Sequence, residues 1–267
     1  MTVVLDRLFE RRKSPRIAGD LEVTIHCEGP GVQIRGEMRD LSLGGICVAT
    51  REPFAQASAV RLDLKRPRRA FSVGARGLWQ RYEPGEKVVL TGFAFEPLGD
   101  FECAAIGGLL SASLDRIAAS LEKSRLAELG VGEPIAIAEL VRFRRFRGGH
   151  VIYDGSAPER EAASNFVVEQ GRVSLHLAED EARTAALGQI GPGEIFGGLC
   201  GGSAPPHEVA IADCDTRLFE IDRSSFEHVR ERQPALAFEL AAASSRATWL
   251  RVCAALLATV DSLGGKT

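Results

Sequence analysis

No two cysteines in the chain are spaced as a CxxC pair: Cys27, Cys47, Cys103, Cys200, Cys214 and Cys253 are scattered over 267 residues. The five histidines do not fall at metal-ligand spacing among them. A zinc site and a disulfide frame are therefore not expected, and the thiols read as reduced core residues. A long apolar run is missing as well. The longest, Val252 to Val260, is far short of the roughly 20 residues that cross a bilayer as a helix, so no membrane insertion is expected. Met1 to Leu5 is followed at once by charge, unlike a signal peptide, which points to a cytoplasmic protein. Nor is there an excess of basic charge: the net charge of −3 and pI of about 6.0 argue against bulk binding to nucleic acid. No acid–base pair, metal set or nucleophile with a neighbouring base stands out, so the chain reads as a non-enzyme with no catalytic residue, cofactor or metal.

What is present is ordinary globular composition, 45% hydrophobic and 26% charged, in a length that suits two domains. Positive charge is local. Arg7, Arg11, Arg12, Lys13 and Arg16 face only Asp6 and Glu10 in the first sixteen residues, an arm able to attract a dianionic ligand. Its core is Arg12-Lys13-Ser14-Pro15-Arg16, and about one hairpin later comes Asp40-Leu41-Ser42-Leu43-Gly44-Gly45, read as a turn. Arginine meets phosphate bidentately, reads the O6/N7 edge of guanine and stacks on a base plane. An ionised Asp40 accepts from guanine N–H donors, and Ser42 donates or accepts. Gly44 and Gly45 permit positive φ and leave no Cβ in the way of a ligand. Either stretch alone has a plain reading, a solvated arm and a well-made turn; the two together, in this order, form a clamp for a ligand with phosphates and guanine edges.

The pair Arg12-xxx-Arg16 and Asp40-x-Ser42-xx-Gly45 resembles the RxxxR and (D/N)xSxxG signature of PilZ domains, bacterial receptors for cyclic di-GMP. The resemblance extends to Trp79 and to the strand Thr91-Gly92-Phe93-Ala94-Phe95. It implies a small β-barrel with the arm folded over one or two molecules of ligand, held by Arg11, Arg12, Arg16, Asp40, Ser42, Gly44 and Gly45. Alternation supports the barrel. Leu21, Val23, Ile25 and Cys27 form one half-buried strand, Val32, Ile34 and Met38 lead a second into the Asp40 turn, and Val60, Leu62 and Leu64 alternate again. With Ile46 to Val48, Phe71 to Gln80 and Val88 to Phe95, six or so short strands are predicted.

Periodicity changes after Pro97. Ile106, Leu110, Leu114, Ile117 and Leu121 predict an amphipathic helix from about 101 to 129, ended by Gly130 and Gly132. From about Val131 the pattern is β again. The stretches 146–155, 165–173 and Gly191-Pro192-Gly193-Glu194-Ile195-Phe196-Gly197 resemble the cyclic-nucleotide-binding jelly roll of catabolite activators and kinase regulatory subunits. That family holds the cyclic phosphate with an arginine and the ribose with a glutamate. Here Gly198, beside Gly197, stands at the glutamate's place, and Pro206, beside His207, at the arginine's, with Glu208 close by to repel a phosphate. The cassette is degenerate, and neither cyclic AMP nor cyclic GMP is expected to bind in the usual way.

Pro234 then starts a helix in which Leu236, Leu240, Ala243, Ala247, Leu250, Ala254 and Leu257 fall at heptad spacing. Its place matches the dimer helix of the nucleotide-binding family, so a homodimer through 234–260 is expected. Trp249, Cys253, Leu256 and Val260 offer a second face for packing on the chain's own jelly roll. Leu263 to Thr267 leaves no room for a helix-turn-helix, and DNA binding is not expected. The reading is therefore mainly β: a PilZ barrel over 1–100, a linker helix over 101–129, a cyclic-nucleotide-binding-like jelly roll over 130–232, and a C-terminal helix over 233–267. Three functions fit it. They are a cyclic di-GMP-gated regulator acting on an effector protein in motility or surface behaviour, a dimeric scaffold without ligand, and a dual sensor of cyclic di-GMP and a cyclic mononucleotide.

Overall fold

The computed structural model describes residues 16–19, 21–27, 32–53, 59–65, 70–84, 86–155, 164–180, 183–198 and 208–264. The chain divides into two compact units, Met1–Ile117 and Ala118–Thr267.

The first unit is a closed antiparallel barrel. Its strands are β1 (Ile17–Ala18), β2 (Glu22–Cys27), β3 (Gln33–Ser42), β4 (Gly45–Thr50), β5 (Ala59–Lys65), β6 (Ala70–Glu83) and β7 (Val88–Phe95). They run in the order β1-β3-β2-β5-β6-β7-β4, and β4 pairs back with β3, closing six strands into a ring. Closure removes the unpaired edges of an open sheet. The short β1 adds to β3 beside the end of β2, pairing Ile17 with Leu41 and Ala18 with Asp40. Inside lie Val23, Ile25, Met38, Leu41, Ile46, Val48, Val60, Leu62, Leu64, Val73, Ala75 and Phe93. Each large apolar side chain among them contributes about 1.5–3 kcal/mol by leaving water. Helix α1 (Asp100–Glu122) places Ile106 and Leu109 in the same core. It is the one described helix long and apolar enough to cross a membrane by length and composition.

The second unit opens with two short helices, α2 (Arg125–Glu128) and α3 (Pro134–Ala138). The single helix expected to run to 129 ends at Glu122 instead, because Ser124 caps a new one: its Oγ accepts from the Leu126 N–H at 3.3 Å. Strands β8 (Arg142–Phe146), β9 (Val151–Asp154), β10 (Asn165–Gln170), β11 (Val173–Asp180), β12 (Arg183–Ile190), β13 (Ile195–Gly197), β14 (Glu208–Ala212) and β15 (Thr216–Ile221) follow. They form two antiparallel four-stranded sheets, β13-β10-β15-β8 and β12-β11-β14-β9, the two sheets of a jelly roll. Tyr153, Phe166 and Phe196 stack in its core with ring centroids 5.2–6.2 Å apart, near the optimum for offset rings. Helix α4 (Arg223–Arg232) is capped by Asp222, whose side chain accepts from the Ser225 N–H at 2.7 Å. Helix α5 (Pro234–Gly264) follows, with proline at its first position, where the missing N–H costs nothing.

One buried acid in this unit sets a pH dependence. Glu139, at the end of α3, is 5% exposed, and its Oε2 has no hydrogen-bond partner. Burial pushes its pKa up from 4.5 to about 7. The folded state therefore holds a proton that the unfolded chain releases. Stability is full below about pH 4.5 and is lost as pH rises to about 7, by up to about 3 kcal/mol. Glu139→Gln is expected to remove most of that slope in urea unfolding curves taken across the pH range. An unchanged slope would place the pH dependence elsewhere.

Candidate functional site

Two bulges set up the barrel's outer face. In a strand, side chains alternate between faces, so one extra residue turns everything after it over. On β3, Met38 pairs with Val48 and Asp40 with Cys47, leaving Arg39 as the extra residue. Met38 and Leu41 both enter the core as a result, while Asp40 turns outward. On β6, Gly77 pairs with Phe93 and Trp79 with Gly92, leaving Leu78 extra. Without that bulge Trp79 would follow Val73 and Ala75 inward; with it the indole is 39% exposed.

The outward residues lie in one row. Ala18 pairs with Asp40, Asp40 with Cys47, Cys47 with Gly92, and Gly92 with Trp79. Arg16 Nη1 donates to Asp40 Oδ1 at 2.9 Å, each side chain 31% exposed. At the other end the indole lies against Gly92, where a Cβ would stand 2.2 Å from Trp79 Nε1. Glycine is thus required for the ring to rest on the strand. Cys47, between them, is buried. Desolvation, then the Asp40 charge, push its thiol up to about 12, against Arg16, Arg39 and Arg81, which act in the other direction. It is a neutral, unreactive surface at physiological pH. Arg39 makes an ion pair with Glu86 and lies 3.8 Å from Glu37, while Arg81 reaches Glu83 at 3.3 Å. The face therefore carries a guanidinium–carboxylate pair at one end, an aromatic plane at the other, and further arginines around a small neutral floor. That is chemistry for phosphate and a stacked base.

The predicted site residues fall as follows. Arg11 and Arg12 lie outside the described residues. Arg16 and Asp40 meet directly. Asp40 was expected on a turn; it stands within β3, because the two-residue turn is Leu43-Gly44, closed by the pairing of Ser42 with Gly45. Ser42 is buried, and its Oγ donates to the Gly45 carbonyl at 3.2 Å, so its hydroxyl fastens the hairpin. Gly44 and Gly45 are not among the residues with positive φ. What demands glycine at 45 is β7: a Cβ there would stand 2.1 Å from the Phe93 carbonyl oxygen. Trp79 entered the sequence reading only through the resemblance, because a strand's period gives no warning of a bulge. Arg39 and Arg81 were missed for the same reason.

In the second unit, Gly197 has φ +92°, and a Cβ there would lie 2.2 Å from the Ser164 carbonyl oxygen. The Gly198 N–H donates to that same oxygen at 3.2 Å. Pro206 and His207 lie outside the described residues. Among the described residues no cluster of three or more His, Cys, Asp or Glu could hold a metal ion.

Comparison with known proteins agrees with both halves. The PilZ domain family matches residues 10–112 and the cyclic nucleotide-binding domain family residues 143–233. The chain joins a PilZ domain to a cyclic nucleotide-binding domain, both of them ligand-binding regulatory types. No curated protein matches it. Among solved structures, a cyclic nucleotide-binding domain from Methylobacillus flagellatus is 14% identical, covering 58% of this chain and 84% of that one with a TM-score of 0.42. The Thermus thermophilus catabolite activator protein is 24% identical, covering 52% and 63% with a TM-score of 0.41. The Bacillus subtilis inhibitor of motility is 21% identical, covering 40% and 51% with a TM-score of 0.34.

Proposed function

We propose that the chain is a cytoplasmic cyclic di-GMP receptor whose ligand lies along the outer barrel row from Arg16 to Trp79. The observation that carries this reading is the row itself: the Arg16–Asp40 pair and the indole on Gly92 are brought to one face by two bulges. In this reading the arm carrying Arg11 and Arg12 closes over the dinucleotide, Asp40 accepts from a guanine edge, and Trp79 stacks on a base. The jelly roll passes the bound state to an effector protein, in motility or another surface behaviour as is common for the PilZ family. A ligand shifts such a receptor only as far as its affinities for the two states differ.

Exposed apolar residues on α5 support a homodimer. Leu250 and Leu257 of the heptad seam are 48% and 66% exposed, whereas Leu236, Leu240, Ala243 and Ala247 of the same seam are buried in the chain's own unit; Trp249 and Leu256, expected to pack on the jelly roll, are 66% and 61% exposed instead. The dimer seam is therefore confined to the second half of the helix.

Isothermal titration of the whole chain with cyclic di-GMP, cyclic AMP and cyclic GMP tests the reading. Binding of the dinucleotide alone is expected; silence from all three would leave the dimeric scaffold. Trp79→Ala is expected to weaken binding by about 1–3 kcal/mol, the worth of one stacked base. In a Trp249→Phe background, the remaining Trp79 fluorescence should change on titration, and a constant signal would put the ligand elsewhere.

A further inference from the structure

The outer face of the barrel carries a buried guanidinium whose donors are only partly used. Arg39, the extra residue of the β3 bulge, is 9% exposed. Its Nη2 donates to Glu86 in the turn between β6 and β7, while its Nη1 lies 3.8 Å from the Glu37 carboxylate, too far for a hydrogen bond. Nε and Nη1 are both buried and have no hydrogen-bond partner. A guanidinium presents five N–H donors, and native structures rarely leave a buried donor without an acceptor, because its lost hydration is then not replaced. Arg16 and Arg81 on the same face differ in this respect. Their side chains are 31% and 66% exposed, so water completes them.

Arg39 also stands beside the row of residues that the ligand is proposed to follow. Next to Asp40, Cys47, Gly92 and Trp79 runs a second row, Glu37, Ala49, Leu90 and Arg81, paired across the same four strands. The bulge inserts Arg39 between the two rows on β3, directly before Asp40. Its nearest neighbours on β4, Cys47 and Ala49, are small and buried, and offer no charged oxygen. What Nε and Nη1 lack is an acceptor, and a charged oxygen such as that of a phosphodiester makes the stronger kind of hydrogen bond to a guanidinium.

We propose that Arg39 is a further ligand-binding residue of this face, which takes a phosphate oxygen of the dinucleotide on Nε or Nη1 and is held in reserve by Glu86 in the free chain. The inference rests on the cyclic di-GMP reading and extends it from the arm to the strand. Rotation about the side chain's own torsions turns the guanidinium toward the ligand without moving β3. Glu86 and the phosphate are both anions and draw on one cation, so the carboxylate weakens binding while it steadies the empty site.

Isothermal titration of the whole chain with cyclic di-GMP, each variant beside a thermal melt, tests this. Arg39→Lys keeps a cation for Glu86 but has a single nitrogen, so the melt should hold while affinity falls about tenfold. Glu86→Gln keeps the size of the side chain and an acceptor for Nη2 but loses the charge, and should bind the dinucleotide about fivefold more tightly. Arg39→Met with Glu86→Gln should bind no more tightly than Arg39→Met alone, because the gain acts through Arg39. Wild-type affinity in Arg39→Lys, or the same gain from Glu86→Gln without Arg39, overturns the proposal and leaves the cyclic di-GMP reading standing. A wild-type chain that does not bind the dinucleotide overturns both. Should the Arg39 variants not fold, Glu86→Gln is read alone: tighter binding supports the proposal, and equal or weaker binding overturns it.

Discussion

Arg16→Ala is expected to lower affinity for cyclic di-GMP by about 3–4 kcal/mol, on the order of a hundred- to a thousandfold, with the barrel's unfolding transition unmoved. The two effects differ in size for a physical reason. In the free protein Arg16 makes one ion pair with Asp40 at 2.9 Å, about a third exposed, and such a pair contributes only about 0.2–1 kcal/mol to folding. Against a phosphate or a guanine edge the same guanidinium forms two charged hydrogen bonds in a less hydrated place. Arg12→Ala is expected to behave likewise. Arg16→Lys keeps the charge but loses the fork, and should recover only a small part of the affinity. Asp40→Ala is milder, at about one to a few kcal/mol, since it removes an acceptor and also releases Arg16 from its partner. Titration of each variant beside a thermal melt checks the set. Full affinity in the double arginine variant would show that the arm takes no part in binding.

Leu250→Glu with Leu257→Glu is expected to convert the proposed dimer to a monomer in sedimentation equilibrium. Both residues are exposed in the single chain, at 48% and 66%, so the change leaves its fold intact. At a helix–helix seam, however, each buried carboxylate costs several kcal/mol, and two raise the dissociation constant by at least about a thousandfold. Deleting everything after Gln233 is the wrong experiment, because Leu236 and Leu240 are 5% and 0% exposed within their own unit. Their loss would strip the apolar surface of that unit against which they are buried. A double variant that still sediments as a dimer would move the interface away from α5.

Much of the fold was legible because the residues obey simple periods. Val60, Leu62 and Leu64 announce a strand with one wet face, and they are all buried on one side of β5. Ile106 and Leu110 likewise announced α1. The site was less legible, because it depends on where that period breaks. Met38 and Leu41 are three apart, and both point inward only because Arg39 is an extra residue. That spacing was the one local sign that Asp40 sits on a bulged strand and not on a turn. Trp79 carried no such sign, since Leu78 beside it is equally apolar and more exposed, at 61%. The heptad of α5 was visible from end to end, yet its halves differ in surroundings: Leu236, Leu240, Ala243 and Ala247 are buried in the chain's own unit, whereas Leu250 and Leu257 are exposed. Alanines at 243 and 247 suit close approach to a jelly roll as well as to a second helix, and spacing alone does not separate the two.

Hydrogen exchange of the full chain with and without cyclic di-GMP tests the central claim most directly, because it locates the ligand as well as detecting it. Added protection is expected in the arm through Ala18, in 38–47 and in 77–82, with β10, β14 and β15 unchanged at their own hydrogen bonds. Protection confined to the jelly roll, or none anywhere at saturating ligand, would contradict it.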